Sequence, residues 1–417
     1  MLTGGGILVT ESVNKQNIPS ALYLAMLCQF AVGGAVIPFA GLLLRERGLS
    51  YSEASQIFAL SSSMLLIFPF FWGMVADRLI PIDRLFTILN ILALGAMVFL
   101  FRQWSYTGLL VGFLMFYSFY HPTFTLINAL CFHHLESPEQ QFGKVRAWGS
   151  IGWIVPSLPI YFWLVWHPEA ELGFVLFIGM AAAVSMTLVT FLLPRTKVEG
   201  AAAKAVSANA PKPHYWRDIR VLMSNGNYVA ILISFFLISG SFSLLTYYSP
   251  PHMASLGMAR SWIGPIQCIG VLLEIALFPF LRILLVRWGY RRCLVLGAAC
   301  LVVRHLIFAF SGSLLVLSLS YVFSGMLIVL YHIAASIMVN YLATNAVRAS
   351  AQTLLVLAGS GLGPLVTNLV VGLLVGEGEG GLKGVFVFAA VLAFLAGVVI
   401  FMRGEKFEIA DRERPRS

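Results

Sequence analysis

Two ionisable side chains lie deep inside apolar stretches of this sequence: Glu274, within Val-Leu-Leu-Glu-Ile-Ala-Leu, and Arg304. A charged group at mid-membrane depth costs about 2.5–3.5 kcal/mol on insertion scales, so its presence points to a functional site. Glu274 precedes Arg287 by 13 residues, and Arg304 follows Arg292 by 12 residues. At about 1.5 Å of rise per helical residue, both lie roughly 18–20 Å from the same surface. The spacing therefore predicts that Glu274 and Arg304 pair at matching depth on consecutive antiparallel helices.

The predicted pair has the chemistry for proton exchange, because Glu274 is the one carboxylate deep within an apolar run. Burial favours the protonated form of a carboxyl group, whereas a nearby cation favours the ionised form. Movement of Arg304 relative to Glu274 would therefore load and release a proton. Two alternatives stay open: the pair only locks two helices together, or the imidazole of His332, which titrates near neutral pH, carries the proton.

Polar side chains also follow one face of two other apolar runs. They are Tyr117, His121, Thr125 and Asn128 in one run, and His332, Ser336 and Asn340 in the other. Helical geometry places each set on a single face, which is too polar to contact lipid. Such a face contacts either a neighbouring helix or a water-filled cavity. We expect the cavity for the first run and leave both arrangements open for the run that contains His332. Gln29, which precedes a Gly33-Gly34 pair suited to close helix packing, is expected to expose its amide to the same space.

Several other chemistries find no support in the sequence. It contains no phosphate-binding P-loop, no HExxH or GxSxG motif, and no glycine-rich dinucleotide turn. The five cysteines, none of them in a CxxC motif, are predicted to be buried apolar side chains rather than metal ligands. We therefore expect no enzymatic activity, no metal and no cofactor. Transport, if it occurs, must be driven by a gradient or must simply equilibrate the solute.

The composition identifies the environment of these residues. Of the 417 residues 59% are hydrophobic and only 11% are charged, and the mean hydropathy is +0.87. A soluble domain carries about 25% charged residues to wet its surface. The chain is therefore predicted to be an integral membrane protein, which excludes a soluble enzyme, a disordered chain and a nucleic-acid binder.

Twelve apolar runs are long enough to cross a bilayer as helices. They cover about 18–44, 54–76, 85–101, 106–131, 147–166 and 170–193, then about 227–248, 261–285, 293–310, 313–342, 347–375 and 381–402. We number them spans 1 to 12. The long polar break at 194–226 divides the chain into a six-helix bundle over 1–193, a linker, and a second bundle with a tail over 227–417. The linker is predicted to hold a short interfacial helix around Trp216–Leu222.

The positive charges predict the orientation. With the N-terminus in the cytoplasm, 21 of the 27 Lys and Arg residues fall on the cytoplasmic face and five on the opposite face. This bias follows the positive-inside rule and explains the net charge of +9 without a nucleic-acid partner. We therefore expect a multi-pass protein of the inner membrane with both termini and the linker in the cytoplasm. The first span is expected to act as an uncleaved signal.

Six plus six spans around a long cytoplasmic linker resemble the major facilitator superfamily, whose halves are related by a parallel repeat. The turn after span 2, Gly73-Met-Val-Ala-Asp77-Arg78, resembles the hinge motif of that superfamily, and Arg287-Trp-Gly289-Tyr-Arg291-Arg292 after span 8 resembles a second copy. Gly73 is expected to allow close helix approach, and Asp77 to pair with an arginine or a helix end. Arg78 supplies the basic residue of the motif.

Within that superfamily the chain is similar to the nucleoside:proton symporters. The similarity rests on Leu27-Cys-Gln29-Phe30, on His121-Pro-Thr with Leu126 and Asn128, on Arg146-Ala-Trp-Gly149-Ser-Ile-Gly152, on the spacing of Glu274, Gly289 and Arg304, and on Arg348-Ala-Ser-Ala-Gln352. The resemblance implies an all-α fold and proton-coupled nucleoside uptake. It also implies transport roles for Gln29, Asn128, Arg146, Glu274 and Arg304.

The sequence departs from this family at two places. Val329 occupies the position of an acidic residue in span 10, with His332 one turn further on the same face, and Leu244 and Tyr247 lie near polar positions of span 7. Permeases for sugars or aromatic acids, drug efflux by antiport and a non-transporting sensor on the same fold therefore stay open.

For a nucleoside we expect a stacking ring from Phe30, Tyr117 or Tyr247, and hydrogen bonds from Gln29, Asn128 or His121. The expected partners are a nucleoside-like solute, protons and the lipid bilayer, with the protein acting as a monomer.

Overall fold

The structure, a computed structural model, describes residues 19–136, 138–193, 195–196, 215–344, 347–376 and 379–403. Within these ranges all regular structure is helical and no strand occurs. Residues 194 and 197–214, most of the predicted linker, lie outside the described residues, as do both ends of the chain. The predicted linker helix is confirmed and extends over Tyr215–Ser224.

The first half contains six spans. Span 1 comprises Ser20–Val36 and Ala40–Glu46 around the 3-10 turn Ile37–Phe39; spans 2, 3 and 4 are Tyr51–Arg78, Ile82–Phe101 and Tyr106–His134; span 5 comprises Pro138–Ile154 and Ser157–Trp166; span 6 is Gly173–Thr190. The breaks in spans 1 and 5 fall at Pro38 and Pro156, because a proline nitrogen cannot donate the intrahelical hydrogen bond. Span 2 begins with a capping box in which Ser50 and Glu53 bond each other's backbone N–H groups.

The second half has the same number of spans. Span 7 is Gly226–Ser255; span 8 comprises Arg260–Trp262, Ile263–Leu277, Phe278–Phe280 and the start of Leu281–Phe310, whose remainder is span 9; span 10 comprises Leu314–Leu319, Val322–Leu327, Ile328–Ile333 and Ala334–Leu342; span 11 comprises Arg348–Val356, Leu357–Leu362 and Gly363–Leu374; span 12 is Glu379–Met402. The segments Ile328–Ile333 and Leu357–Leu362 are π-helical. Short π-helical segments often occur at functional sites.

In the described part of the chain eleven helices are long and apolar enough to cross a membrane, and one of them, Arg260–Phe310, has 51 residues. A helix of that length would measure about 76 Å against a hydrocarbon core of about 30 Å. Its backbone departs from helical geometry at Gly289, at φ 77° and ψ 162°. Arg304 bonds Ser324, and a Cβ on the next residue, Gly325, would lie 2.9 Å from the nitrogen of Glu274. The chain therefore reverses at Gly289, and the described helices make the twelve crossings predicted from the sequence.

The two halves repeat the same packing. In the first half span 1 packs against spans 5 and 6, span 2 against span 4, and span 3 against span 6. In the second half span 7 packs against spans 11 and 12, span 8 against span 10, and span 9 against span 12, which are the equivalent contacts. The halves meet where span 2 packs against span 11 and span 5 against span 8, a pair of contacts that the repeat also relates. This pattern is the two-bundle architecture expected for a parallel repeat.

The two copies of the predicted hinge motif differ. Gly289 has a positive φ that other residues rarely adopt, so this glycine is required by the turn between spans 8 and 9. Gly73 does not support the close helix approach expected there, because an added Cβ would meet no atom within 4 Å. Arg78 ends the span 2 helix with an exposed side chain, and the side chain of Asp77 lies outside the described residues.

We expect Gly289→Ala to destabilise the protein, because the backbone conformation at Gly289 costs a residue with a Cβ about 1–3 kcal/mol. The matched control is Gly73→Ala, which places a methyl group in open space within a helix and should be neutral or slightly stabilising. The measurement is the apparent melting temperature of the detergent-solubilised protein. Equal melting temperatures for the two variants would contradict the turn at Gly289.

Candidate functional site

A cavity of about 360 Å³ lies between the two halves. Both halves contribute to its wall, through spans 1 and 5 of the first and spans 7, 8, 9 and 10 of the second. The lining residues are Phe30, Ile37, Arg146, Ser150, Trp153, Phe242, Leu245, Thr246, Ser249, Gln267, Gly270, Val271, Glu274, Arg304, Tyr321, Ser324, Gly325 and Ile328. A largely apolar wall with a few convergent polar groups is typical of small-molecule sites.

Arg146 and Glu274 face each other from opposite halves. The Glu274 carboxylate oxygen Oε1 accepts a long hydrogen bond of 3.5 Å from the Ser150 hydroxyl, one turn beyond Arg146 on span 5. The Arg146 guanidinium lies 4.3 Å from the ring centroid of Phe30 and attracts the carboxylate of Glu274. The interface between the halves therefore carries opposite charges at the cavity wall. Three of the predicted residues, Phe30, Arg146 and Glu274, are brought together here.

Arg304 lines the same cavity without the partner predicted for it. Among the described residues, no ion pair within 4.0 Å joins Arg304 to Glu274. The guanidinium instead donates to the Ser324 hydroxyl and lies 3.9 Å from the ring centroid of Tyr321. Both residues nevertheless reach neighbouring positions of span 10, where Arg304 bonds Ser324 and the backbone of Glu274 lies beside Gly325. The pairing differs because the Glu274 side chain is directed across the interface toward span 5.

Tyr117 and Tyr247 do not line the cavity, although both were expected to supply its stacking ring. Their hydroxyl oxygens are 2.7 Å apart, in a hydrogen bond that joins span 4 to span 7. The ring of Phe58 from span 2 stacks on Tyr247 at 3.9 Å between centroids. We call Phe58, Tyr117 and Tyr247 the aromatic plug. Aromatic rings pack favourably against one another in stacked and edge-to-face arrangements, which explains the contact among Phe58, Tyr117 and Tyr247.

The other polar residues expected at the cavity from spans 1 and 4 pack elsewhere. Gln29 is fully buried, and its amide nitrogen donates to the Thr123 hydroxyl between the two spans. His121 packs its ring 4.5 Å from that of Tyr117, and its buried Nε2 finds no hydrogen-bond partner among the described residues. Asn128 is half-buried and does not belong to the lining. The cavity lining contains none of the four residues of the polar face of span 4, of which Tyr117 contacts span 7 and Thr125 is exposed.

His332 lies in the π-helical part of span 10, next to the cavity but outside its lining. Its Nε2 is 3.5 Å from the Ser239 hydroxyl, and its ring packs 5.2 Å from Phe235 of span 7. The remaining polar residues of this face, Ser336 and Asn340, both bond Gln352 of span 11. That face of span 10 therefore joins helices of the second half.

Several lining residues were missed from the sequence. Ser150 and Trp153 lie on the same face of span 5 as the predicted Arg146, and Gln267 precedes Glu274 by two turns on span 8, so helical periodicity from the charged residues could have found them. Tyr321, Ser324 and Ser249 give no such signal. Tyr321 and Ser324 join the site because the turn at Gly289 folds span 9 against span 10, and the hydroxyl of Ser249 from span 7 lies 3.0 Å from that of Tyr321.

The face of the protein opposite the start of span 1 and the end of span 12 is closed by direct contacts between the halves. Arg260 forms an ion pair with Glu46, at 3.2 Å, and donates to the carbonyl oxygen of Pro168. Deeper in, the Ser52 hydroxyl donates to the carbonyl oxygen of Gly372 at 2.7 Å. A Cβ on Gly41 would overlap the carbonyl oxygen of Tyr247, so spans 1 and 7 touch backbone to backbone. We call this the closed face.

The five cysteines are buried, as predicted, and each is a free thiol. Among the described residues, no group of three or more His, Cys, Asp and Glu side chains could hold a metal ion.

Comparison with known proteins identifies relatives that are transporters or permeases by name. The chain is 23% identical over 410 residues to YegT of Escherichia coli strain K12, named as a candidate nucleoside transporter, with 93% of this chain and 94% of YegT covered. It is 25% identical over 346 residues to the nucleoside permease NupG of the same organism, with 77% and 79% covered. The crystal structure of the nucleoside transporter NupG superposes with a TM-score of 0.76 at 19% identity, covering 95% of this chain and all of that one. This likeness shows the fold.

A family model described as "MFS_1 like family" matches residues 20–388, which is most of the chain. The resemblance to the major facilitator superfamily drawn from the sequence is thereby confirmed, and the chain belongs to the MFS_1-like family.

Proposed function

We propose that this protein is a proton-coupled secondary transporter that imports a nucleoside by alternating access. The observation that carries the proposal is the cavity between the halves, whose wall holds Arg146 of one half and Glu274 of the other within electrostatic reach. One face of the protein is closed by contacts between the halves. Rocking of the two halves would open the closed face and close the other. The names of relatives support the substrate class, since YegT, NupG and a xanthosine permease are nucleoside transporters by name.

Glu274 is proposed as the proton carrier, with Arg146 rather than Arg304 as the cation that controls it. A carboxylate facing a cation is favoured as the ionised form, and separation from that cation in a buried site favours protonation. Arg146 and Glu274 belong to different halves, so the motion that switches access also changes the distance between their charges. Proton binding and conformation are then linked through one contact.

The proposed nucleoside site combines rings with polar groups. Phe30, Trp153 and Tyr321 present aromatic surfaces on which a base can stack. Gln267 and Thr246 offer amide and hydroxyl groups for the sugar. The cavity is completed by one chain, so we propose that the protein acts as a monomer.

The orientation remains a proposal from the charge bias: both termini and the linker lie in the cytoplasm of a cell whose inner membrane holds the protein. The closed face is then the outer face, and the cavity belongs to an inward-facing state. Permeases for sugars or aromatic acids remain the alternatives, because a maltose permease and a 3-phenylpropionic acid transporter are also relatives by name.

We expect proteoliposomes containing the protein to accumulate a radiolabelled nucleoside when a pH gradient is imposed. Glu274→Gln should abolish this accumulation while leaving nucleoside exchange largely intact, because the neutral amide cannot bind the coupled proton. The matched control is Glu169→Gln, the same chemical change at an exposed position outside the spans, which should retain accumulation.

A panel of sugars and aromatic acids in the same assay separates the alternatives, and no uptake of any solute would favour the sensor. Full gradient-driven accumulation by Glu274→Gln would remove Glu274 from the coupling step. If His332→Gln instead gives exchange without accumulation, the imidazole is the carrier.

The proposed topology predicts the labelling of a single cysteine placed in the 200–212 linker of the intact cell. A membrane-impermeant maleimide should leave this cysteine unmodified until the cells are broken. A cysteine at Ser313, exposed in the loop between spans 9 and 10, is the control and should react in intact cells. Reaction of the linker cysteine from outside would reverse the orientation.

Alternating access predicts that Arg260→Ala shifts the protein toward a state open at the closed face. Loss of a partly exposed ion pair costs about 1 kcal/mol, which changes the ratio of the two states about fivefold. Electron–electron distance measurements between spin labels at Thr107 and Ser313, on different halves of this face, should then show a larger long-distance fraction. Arg102→Ala removes the same charge from an exposed position of the same face and should not change the distribution.

A further inference from the structure

Arg304 is a buried cation without a buried anion to balance it. Its side chain is 2% exposed, and its Nε has no hydrogen-bond partner among the described residues. The groups around it are the Ser324 hydroxyl and the rings of Tyr321 and Phe308, whose centroids lie 3.9 and 5.6 Å from the guanidinium carbon. An uncompensated buried charge costs several kcal/mol, so a structure that keeps one usually has a partner for it at some stage.

The cavity as a whole is positive. Its described charged residues are Arg146, Arg304 and Glu274. The formal charge of the wall is therefore about +1 when Glu274 is ionised and about +2 when it is protonated, on ordinary charge states. A neutral nucleoside would leave that charge unbalanced, whereas a ligand with one negative charge would offset it.

Resting on the proposed function, we infer that the physiological substrate is an anionic nucleoside derivative whose negative group binds the Arg304 guanidinium. The planar guanidinium presents paired donors that match a carboxylate or an ionised base edge. Ser324 and Tyr321 hold the guanidinium at the cavity wall and leave its Nε free to donate.

This assignment couples the substrate to the proton through charge alone. Protonation of Glu274 makes the cavity more positive and so favours an anion, and by linkage a bound anion favours protonation to the same extent. The charged and titratable groups that face Glu274 are Arg146 of span 5, Arg304 of span 9 and Tyr321 of span 10, all on the cavity wall. His332 is directed toward Ser239 of span 7. One anion carried with one proton moves no net charge.

The test compares two pairs of solutes in proteoliposomes: uridine with uridine 5′-carboxylate, and inosine with xanthosine, whose base ionises readily. The first pair places the negative charge on the sugar and the second on the base. We expect the anionic member of at least one pair to show a KM about tenfold to a hundredfold lower in the wild type. Its uptake should respond to a pH gradient and not to a potassium–valinomycin potential.

Arg304→Gln should abolish the preference for the anion, and Arg304→Lys should keep part of it because the charge remains. If the wild type prefers the neutral members, or if Arg304→Gln keeps the preference, the inference fails while nucleoside transport stands. If the wild type takes up none of the four solutes, the proposed function fails as well.

A second measurement decides the matter even if Arg304→Gln does not fold. Binding of uridine 5′-carboxylate to the detergent-purified protein should tighten from neutral to acidic pH in the wild type. In Glu274→Gln the binding should be tight and independent of pH, because the cavity keeps its higher positive charge. A pH-dependent affinity in Glu274→Gln equal to that of the wild type would overturn the inference.

Discussion

The structure depends on how the charged side chains of the membrane-spanning helices are stabilised where water is excluded. Each charged side chain at the cavity is placed where protein groups, rather than lipid, surround it. Arg146 lies over the ring of Phe30, and Arg304 lies over the ring of Tyr321. Glu274 is directed at the other half of the protein. Because the charges belong to different halves, the arrangement that stabilises them also determines where the halves can meet.

Close backbone contact makes this placement possible. A Cβ on Gly152 would overlap the carbonyl oxygen of Leu27, and one on Gly34 would overlap the backbone of Trp153, so spans 1 and 5 pack without intervening side chains. This packing confirms the close approach predicted for the Gly33-Gly34 pair, and it brings Phe30 beside Arg146. In a membrane, where apolar side chains gain little by leaving lipid, such close contact is a main source of helix association.

The sequence was sufficient for features that depend on single helices. Run lengths predicted the twelve crossings and placed Glu274 and Arg304 on consecutive spans. It was insufficient for features that depend on rotation of one helix against another. Periodicity placed Tyr117 and Asn128 on one polar face but could not say which neighbour that face meets. The predicted pairing of Arg304 with Glu274 was wrong for the same reason. Two side chains on neighbouring helices pair only if the rotation of each helix directs them toward each other, and the sequence does not give that rotation.

The aromatic plug affects whether protons can leak across the membrane through the protein. A cavity of about 360 Å³ that reached both faces would hold a continuous file of water, along which protons hop and dissipate any stored gradient. Tyr117 and Tyr247 satisfy each other's hydroxyl groups, and Phe58 covers the second ring, so little is left there for water to bond. The same three rings that exclude water also span both halves. Any conformational change that opens this barrier must therefore separate Tyr117 and Phe58 of one half from Tyr247 of the other, so a stored gradient is kept only if the opposite side has closed first.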